Sequence, residues 1–237
     1  MATFLDLLAW GDTGWSRALV GGALVTIEIS AIAFPIGILV GGAAAWAKMQ
    51  GPAWLAALAR GYTTICRSVP DLLLILLLYY AGQSLLNALL ALLGFGDVGI
   101  SGFAAATVVL GLVQGAYASE ILRGSVLAIP RGQTEAARAY GFHGLSLFRR
   151  VTVPAIIPYA LPGLANLWMV ILKDSALISV VGTSELLFTA RQAAGGTKYY
   201  LGFYLVAAAL YYAITLLSNI GIRMIEARIG RWMPRSA

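Results

Sequence analysis

Six ionisable residues stand in or close to strongly apolar stretches of this chain: Glu28, Arg67, Asp71, Lys173, Asp174 and Glu185. A charge at the centre of a bilayer costs at least about 2.5–3.5 kcal/mol, so each such group needs a partner or a wet cavity. Two readings are open. The groups line a path for a solute, or they form structural pairs such as Arg67 with Asp71 at i, i+4 and Lys173 with a nearby acid. The four acids outnumber the two bases. That balance suits a basic solute, with Asp71 and Glu185 as the expected cation acceptors. Glu28 serves equally well as an interhelical hydrogen bonder. Other chemistry is poorly represented. No G-x-x-x-x-G-K-[ST] phosphate loop occurs, and Gly195-Gly196-Thr197-Lys198 lacks its spacing. One histidine and one cysteine are too few for a metal cluster. His143 reads as a solvated or packing residue, and Cys66 as a small packing residue.

The elements that must position these groups follow from composition. The chain has 237 residues, of which 60% are hydrophobic and 11% charged, with a mean hydropathy of +0.84. A soluble domain carries roughly 25% charged residues, and a disordered chain is poor in apolar ones. An all-α integral membrane protein remains, forming one transmembrane domain over residues 1–237. Its 27 glycines suit closely packed membrane helices. Windows of about 20 apolar residues predict five spans, near 18–46, 54–82, 103–122, 156–181 and 200–222. Pro158, Pro162, Lys173 and Asp174 interrupt the fourth. With Pro154, its prolines are expected to expose backbone polar groups to a cavity. Segments 3–15 and 85–93 are too short to span and read as interfacial, with Trp10 and Trp15 at headgroup level. Gly37 with Gly41, and Gly111 with Gly115, are GxxxG pairs suited to helix contact. Tyr199, Tyr200, Phe203 and Tyr204 form an aromatic belt at the start of the fifth span.

Charge orients the spans. With the N-terminus outside, the inner side holds Lys48, Arg60, Arg123, Arg131, Arg138, Arg149, Arg150, Arg223, Arg228, Arg231 and Arg235. The outer side holds Arg17, Arg191 and Lys198. Eleven against three places the N-terminus periplasmic and the C-terminus cytoplasmic. The net charge of +6 is therefore read as a topology signal, with membrane lipid rather than nucleic acid as the surrounding partner. Asp6 and Asp12 precede any basic residue, so a cleaved signal peptide is not expected.

In that orientation residues 120–154 form a long cytoplasmic loop. Thr134 is expected to cap a helix that begins with Glu135, Ala136 and Ala137, and Gly141 to end it. A second short helix over 145–151 is expected to stop at Pro154. Small residues on one side would let a partner backbone approach, whereas the arginines alone would suit anionic lipid.

The loop carries a longer pattern. Glu135-Ala136-Ala137, three residues, Gly141, nine residues and Val151-Thr152-Val153-Pro154 resemble the EAA motif of ABC importer permeases, with valine replacing isoleucine and leucine. The stretches at 21–30 (GGALVTIEIS), 61–72 (GYTTICRSVPDL), 115–124 (GAYASEILRG) and 160–186 (ALPGLANLWMVILKDSALISVVGTSEL) are similar to the polar amino acid uptake branch. More narrowly, they resemble the Q-type subunit of histidine/lysine/arginine/ornithine and opine importers. Many members have Thr-Pro where this chain has Val69-Pro70, and lack an acid at Asp71.

The resemblance implies a type I importer permease fold in the bacterial inner membrane, without enzymatic activity of its own. It places Glu135, Ala136, Ala137 and Gly141 on a coupling helix at an ATPase contact. It implies an M-type permease partner in a heterodimer, two ATPase subunits that hold ATP and Mg²⁺, and a periplasmic substrate-binding protein. No cofactor is expected in this chain. The path candidates are Glu28, Arg67, Asp71, Asp174 and Glu185. Two other classes stand beside this reading. A proton-driven carrier would use Glu28, Asp71 or Glu185, but such carriers usually show internal repeats, and none is visible. A non-transporting scaffold would leave the intramembrane charges without a purpose.

Overall fold

The computed structural model describes residues 3–11, 14–92 and 101–230, and among them every regular element is helical. In chain order they are α1 (Phe4–Leu7), α2 (Ser16–Gln50), α3 (Ala53–Ser68), α4 (Asp71–Leu92), α5 (Gly102–Leu127), α6 (Arg131–Ala139) and α7 (Gly144–Leu147). A π-helical turn (Phe148–Thr152) leads into α8 (Val153–Asp174), and a 3₁₀ segment (Ser175–Val181) follows it. Helices α9 (Leu186–Thr197) and α10 (Tyr200–Gly230) complete the order. Five helical stretches among the described residues are long and apolar enough to cross a membrane: Ser16–Gln50, Asp71–Leu92, Gly102–Leu127, Gly144–Val181 and Tyr200–Ile229. Asp12, Arg231, Arg235 and residue 93 of the expected interfacial segment lie outside the described residues.

Helix α5 is the centre of the bundle. Its Ala106, Leu110, Val113, Gln114 and Ala116 are wholly buried. It runs side by side with α2 in the same direction, and the two GxxxG pairs make the seam. A methyl group on Gly41 would meet the Ala118 Cβ at 2.6 Å and the Gly115 carbonyl oxygen at 2.7 Å. One on Gly111 would meet Ile36 at 2.6 Å. Only glycine permits this approach, which brings many dispersion contacts into range. Helices α4 and α10 instead keep most of their apolar surface uncovered within the chain. At the start of α10, Phe203 is fully buried and packs edge-on against Phe4 at 5.4 Å and Trp15 at 6.3 Å. The N-terminal segment is thus docked on the bundle, while Trp10 and Tyr200 remain exposed.

The second span departs from the expected single helix over 54–82. It breaks into α3 and α4 at Val69, whose φ −98° and ψ 138° are extended. Pro70 causes this: its ring disfavours helical geometry in the preceding residue and it brings no N–H. The separate interfacial helix expected over 85–93 is also absent, because α4 continues unbroken to Leu92.

The fourth span differs in the opposite sense. Helix α8 passes through Pro158 and Pro162 without stopping. Its break lies lower, at Asp174–Ser175, where the chain tightens into 3₁₀ geometry and ends on Gly182 at φ 85°. Nor does Pro154 stop the preceding helix. The π-turn carries the Val153 N–H to the Phe148 carbonyl, and Pro154 falls in the first turn of α8, where its missing donor costs little.

Candidate functional site

Both helix breaks fall beside the same part of α5. Gln114 lies near the middle of that 26-residue helix and is fully buried. Its Nε2 donates to Asp174 Oδ2 at 2.7 Å. One turn further along, the Tyr117 hydroxyl donates to Asp71 Oδ1 at 3.3 Å. Asp71 opens α4 and Asp174 closes α8. Two acids from separate spans therefore meet side chains one turn apart on one face of α5. Arg67 stands in the last turn of α3, four residues before Asp71. The Gln114 Oε1 is buried and accepts no hydrogen bond among the described residues.

This arrangement answers the pairing question. The expected Arg67–Asp71 ion pair does not form, because the Pro70 break removes the i, i+4 register. Lys173 is exposed and makes no ion pair among the described residues. Broken helices matter physically here. The Asp174 carboxylate at the C-terminal end of α8 adds its charge to the negative end of the helix dipole, and both attract a cation.

The remaining intramembrane acids sit elsewhere. Glu28 is exposed on α2. Glu185 is fully buried. It caps α9 by accepting from the Leu187 and Phe188 N–H groups at 2.9 and 2.7 Å. Tyr211 and Thr26 hydroxyls donate to it at 2.6 and 3.3 Å. Its oxygens thus tie α2, α9 and α10 together.

A second polar group occupies the end of the bundle next to the long loop. Lys48 donates to Glu120 Oε1 at 2.7 Å, to Thr63 at 2.7 Å and to Ser119 at 3.2 Å. Arg123 Nη2 donates to the other Glu120 oxygen at 2.8 Å. Glu120 belongs to α5, which runs on to Leu127, and ties that helix to α2 through Lys48, which also donates to Thr63 of α3.

Within the loop, α6 starts at Arg131 after Pro130, earlier than the expected Thr134 cap. Thr134 lies inside the helix and its hydroxyl donates to the Arg131 carbonyl. Glu135 thus falls beyond the first turn. Gly141 does end α6: it adopts φ 85°, its N–H reaches the Arg138 carbonyl, and the Phe142 N–H reaches that of Ala137. These two bonds are a Schellman closure, which favours glycine at this position. Glu135, Ala136 and Gly141 are exposed and Ala137 is buried. Tyr140, Leu145 and Phe148 of the same loop are exposed as well.

Sequence reasoning missed Gln114, Tyr117, Lys48 and Glu120 as site residues. Gln114 carried a signal, as an amide in the apolar run of α5. The other three needed the packing of α2, α3 and α5.

Five helical stretches long and apolar enough to cross a membrane, with helix breaks at Val69 and Ser175 beside two acids, and a structured loop fit a multi-pass transport permease. The chain belongs to the family described as the binding-protein-dependent transport system inner membrane component, which it matches over residues 33–231. Within it, the chain falls in the Q-type branch of polar amino acid ABC importers. It is 41% identical to the octopine transport system permease protein OccQ of Rhizobium radiobacter, with 98% of both chains covered. It is 36% identical to the histidine/lysine/arginine/ornithine transport system permease protein HisQ of Escherichia coli (strain K12), covering 94% and 98%. Its fold is similar to a crystal structure of an amino acid ABC transporter with histidines, at TM-score 0.78 and 29% identity, covering 96% and 99%. It is an inner-membrane, multi-pass permease of an ABC importer.

Proposed function

We propose that the chain carries a basic amino acid or opine inward by alternating access, and that the Asp71–Asp174 pair around Gln114 and Tyr117 receives the cationic part of the cargo. The observation that carries this reading is the convergence of two carboxylates and one unpaired amide oxygen beside two helix breaks. The relatives transport octopine in one case and histidine, lysine, arginine and ornithine in another, which agrees with acidic acceptors. Glu28, exposed on α2, would face the path or a partner subunit, and Glu185 would hold the helices that border it.

Coupling would run through residues 120–154. Glu135, Ala136, Ala137 and Gly141, with exposed Tyr140, Leu145 and Phe148, would form the surface that an ATPase subunit grips. That subunit would hold ATP and Mg²⁺. The assembly would contain two ATPase subunits, an M-type permease in a heterodimer with this chain, and a periplasmic binding protein. The charge asymmetry of the loops supports a periplasmic N-terminus and a cytoplasmic loop and C-terminus. A proton-driven carrier is not favoured by the family to which the chain belongs.

The test is uptake of radiolabelled L-arginine and octopine by the assembled complex in vesicles. Asp71→Asn and Asp174→Asn are each expected to lower uptake about tenfold, equivalent to roughly 1.4 kcal/mol. Gly141→Asp and Glu135→Arg are expected to uncouple ATP hydrolysis from uptake. Uptake that persists without an ATPase subunit but collapses with the proton gradient would overturn the reading.

A further inference from the structure

A cleft of about 420 Å³ opens between α2, α3 and α5 at the loop end of the bundle. Its lining is unlike that of the acid pair. Lys48, Arg60 and Arg67 contribute three cations against the single carboxylate of Glu120. That carboxylate is already engaged on both oxygens, by Lys48 and by Arg123. The Lys48 side chain is only 5% exposed and is held by Glu120, Thr63 and Ser119, so its charge is internally neutralised. Arg60 and Arg67 are different. Both are exposed, and neither guanidinium makes a hydrogen bond or ion pair among the described residues.

Their spacing is informative. Arg60, Thr64 and Arg67 stand at i, i+4 and i+7 of α3, which puts them on one stripe of that helix. Seven residues at 1.5 Å each separate the two arginine Cα atoms by about 10 Å along the axis. At one end of the stripe, Arg67 closes α3 four residues before Asp71. At the other, Arg60 reaches the level of the Lys48–Glu120 pair. Guanidinium is the side chain best matched to a carboxylate, which it binds with two parallel N–H bonds, and Thr64 adds a hydroxyl donor.

We infer that this cleft is a carboxylate-binding site on the loop side of the acid pair, which takes the α-carboxylate of the departing cargo from Arg67 to Arg60. The inference rests on the transport reading above. An amino acid has both charges, and the acid pair satisfies only the positive ones. An unpaired carboxylate in this half of the bundle would meet a desolvation cost, which the two free guanidiniums offset. An anionic lipid headgroup shares the oxyanion chemistry. The continuity of the stripe with the acid pair through Arg67 favours the cargo.

The test compares L-arginine with agmatine, which keeps the guanidinium and lacks the carboxylate. Binding to the assembled complex, freed of its binding protein, is measured calorimetrically in nanodiscs of neutral phosphatidylcholine and in nanodiscs that also contain phosphatidylglycerol. The wild-type complex is expected to prefer L-arginine about tenfold, or roughly 1.4 kcal/mol. In Arg60→Gln that preference is expected to fall to within about twofold, with agmatine affinity retained, and Arg60→Lys to restore most of it. The result must be the same in both lipids. Equal weakening of both ligands, or an intact preference in Arg60→Gln, overturns the site. A loss confined to phosphatidylglycerol assigns the cleft to a lipid headgroup and also overturns it. Failure of the transport reading is separately visible, because the wild-type complex would then take up neither L-arginine nor octopine.

Discussion

At the scale of single residues, the buried acids divide by what satisfies them. Glu185 receives four donors from three helices, and no cation is needed to hold it in place. Glu185→Ala would strip the cap from α9 and leave the Tyr211 and Thr26 hydroxyls without their acceptor. Loss of a cap costs about 0.5–2 kcal/mol, and each stranded buried donor about 1–3 kcal/mol. A destabilisation of roughly 3 kcal/mol is expected, read as a lowered thermal unfolding midpoint of the detergent-solubilised complex. Tyr211→Phe should cost only about 1 kcal/mol, since the carboxylate keeps its other donors. Asp71 and Asp174 have one donor each and should lose function before stability. If Asp71→Asn unfolds the complex as Glu185→Ala does, this division fails.

At the scale of elements, the bundle depends on one tight seam and two deliberate breaks. Gly41 faces backbone atoms of α5 at distances a side chain cannot share. Gly41→Val should push α2 away from α5 and cost about 1–3 kcal/mol, seen as a lower unfolding midpoint and a lower yield of folded protein. The break at Pro70 is of another kind. Pro70→Ala would let α3 and α4 join, restore the i, i+4 register of Arg67 with Asp71, and draw Asp71 away from Tyr117. Assembly should survive. Substrate-stimulated ATP hydrolysis should fall several-fold, and unchanged stimulation would show that the break has no role in transport.

At the scale of the whole molecule, the helices differ in how far the chain itself covers them. Helix α5 is enclosed, while α4 and α10 expose long apolar faces to lipid or to a neighbouring subunit. Orientation can be read directly. In a Cys66→Ser background, a cysteine at Gly132→Cys should react with a membrane-impermeant maleimide only in inverted vesicles. One at Gly196→Cys should react only from the outside. The opposite pattern would reverse the topology and place the basic cleft on the entry side.

Much of this protein was legible from composition and spacing alone. Apolar run length dictates spans, because a bilayer leaves only internally bonded helices or closed barrels, and the two GxxxG pairs marked the first and third spans as suited to helix contact, without saying that they meet each other. The EAA spacing announced the loop, and Gly141 its helix end. The acids at 71 and 174 were visible as costly residues, but not as neighbours. That required Pro70 to break one span, Asp174 to end another, and α5 to present Gln114 and Tyr117 between them. The Lys48–Glu120 tie and the cleft beside it were equally hidden, since they bring Glu120 of α5 against residues of α2 and α3 more than 50 positions away in the chain. Run length and motif spacing are local properties and can be read along a sequence. The pairing of charges is settled only by which helix faces meet, and that is a property of the packed bundle.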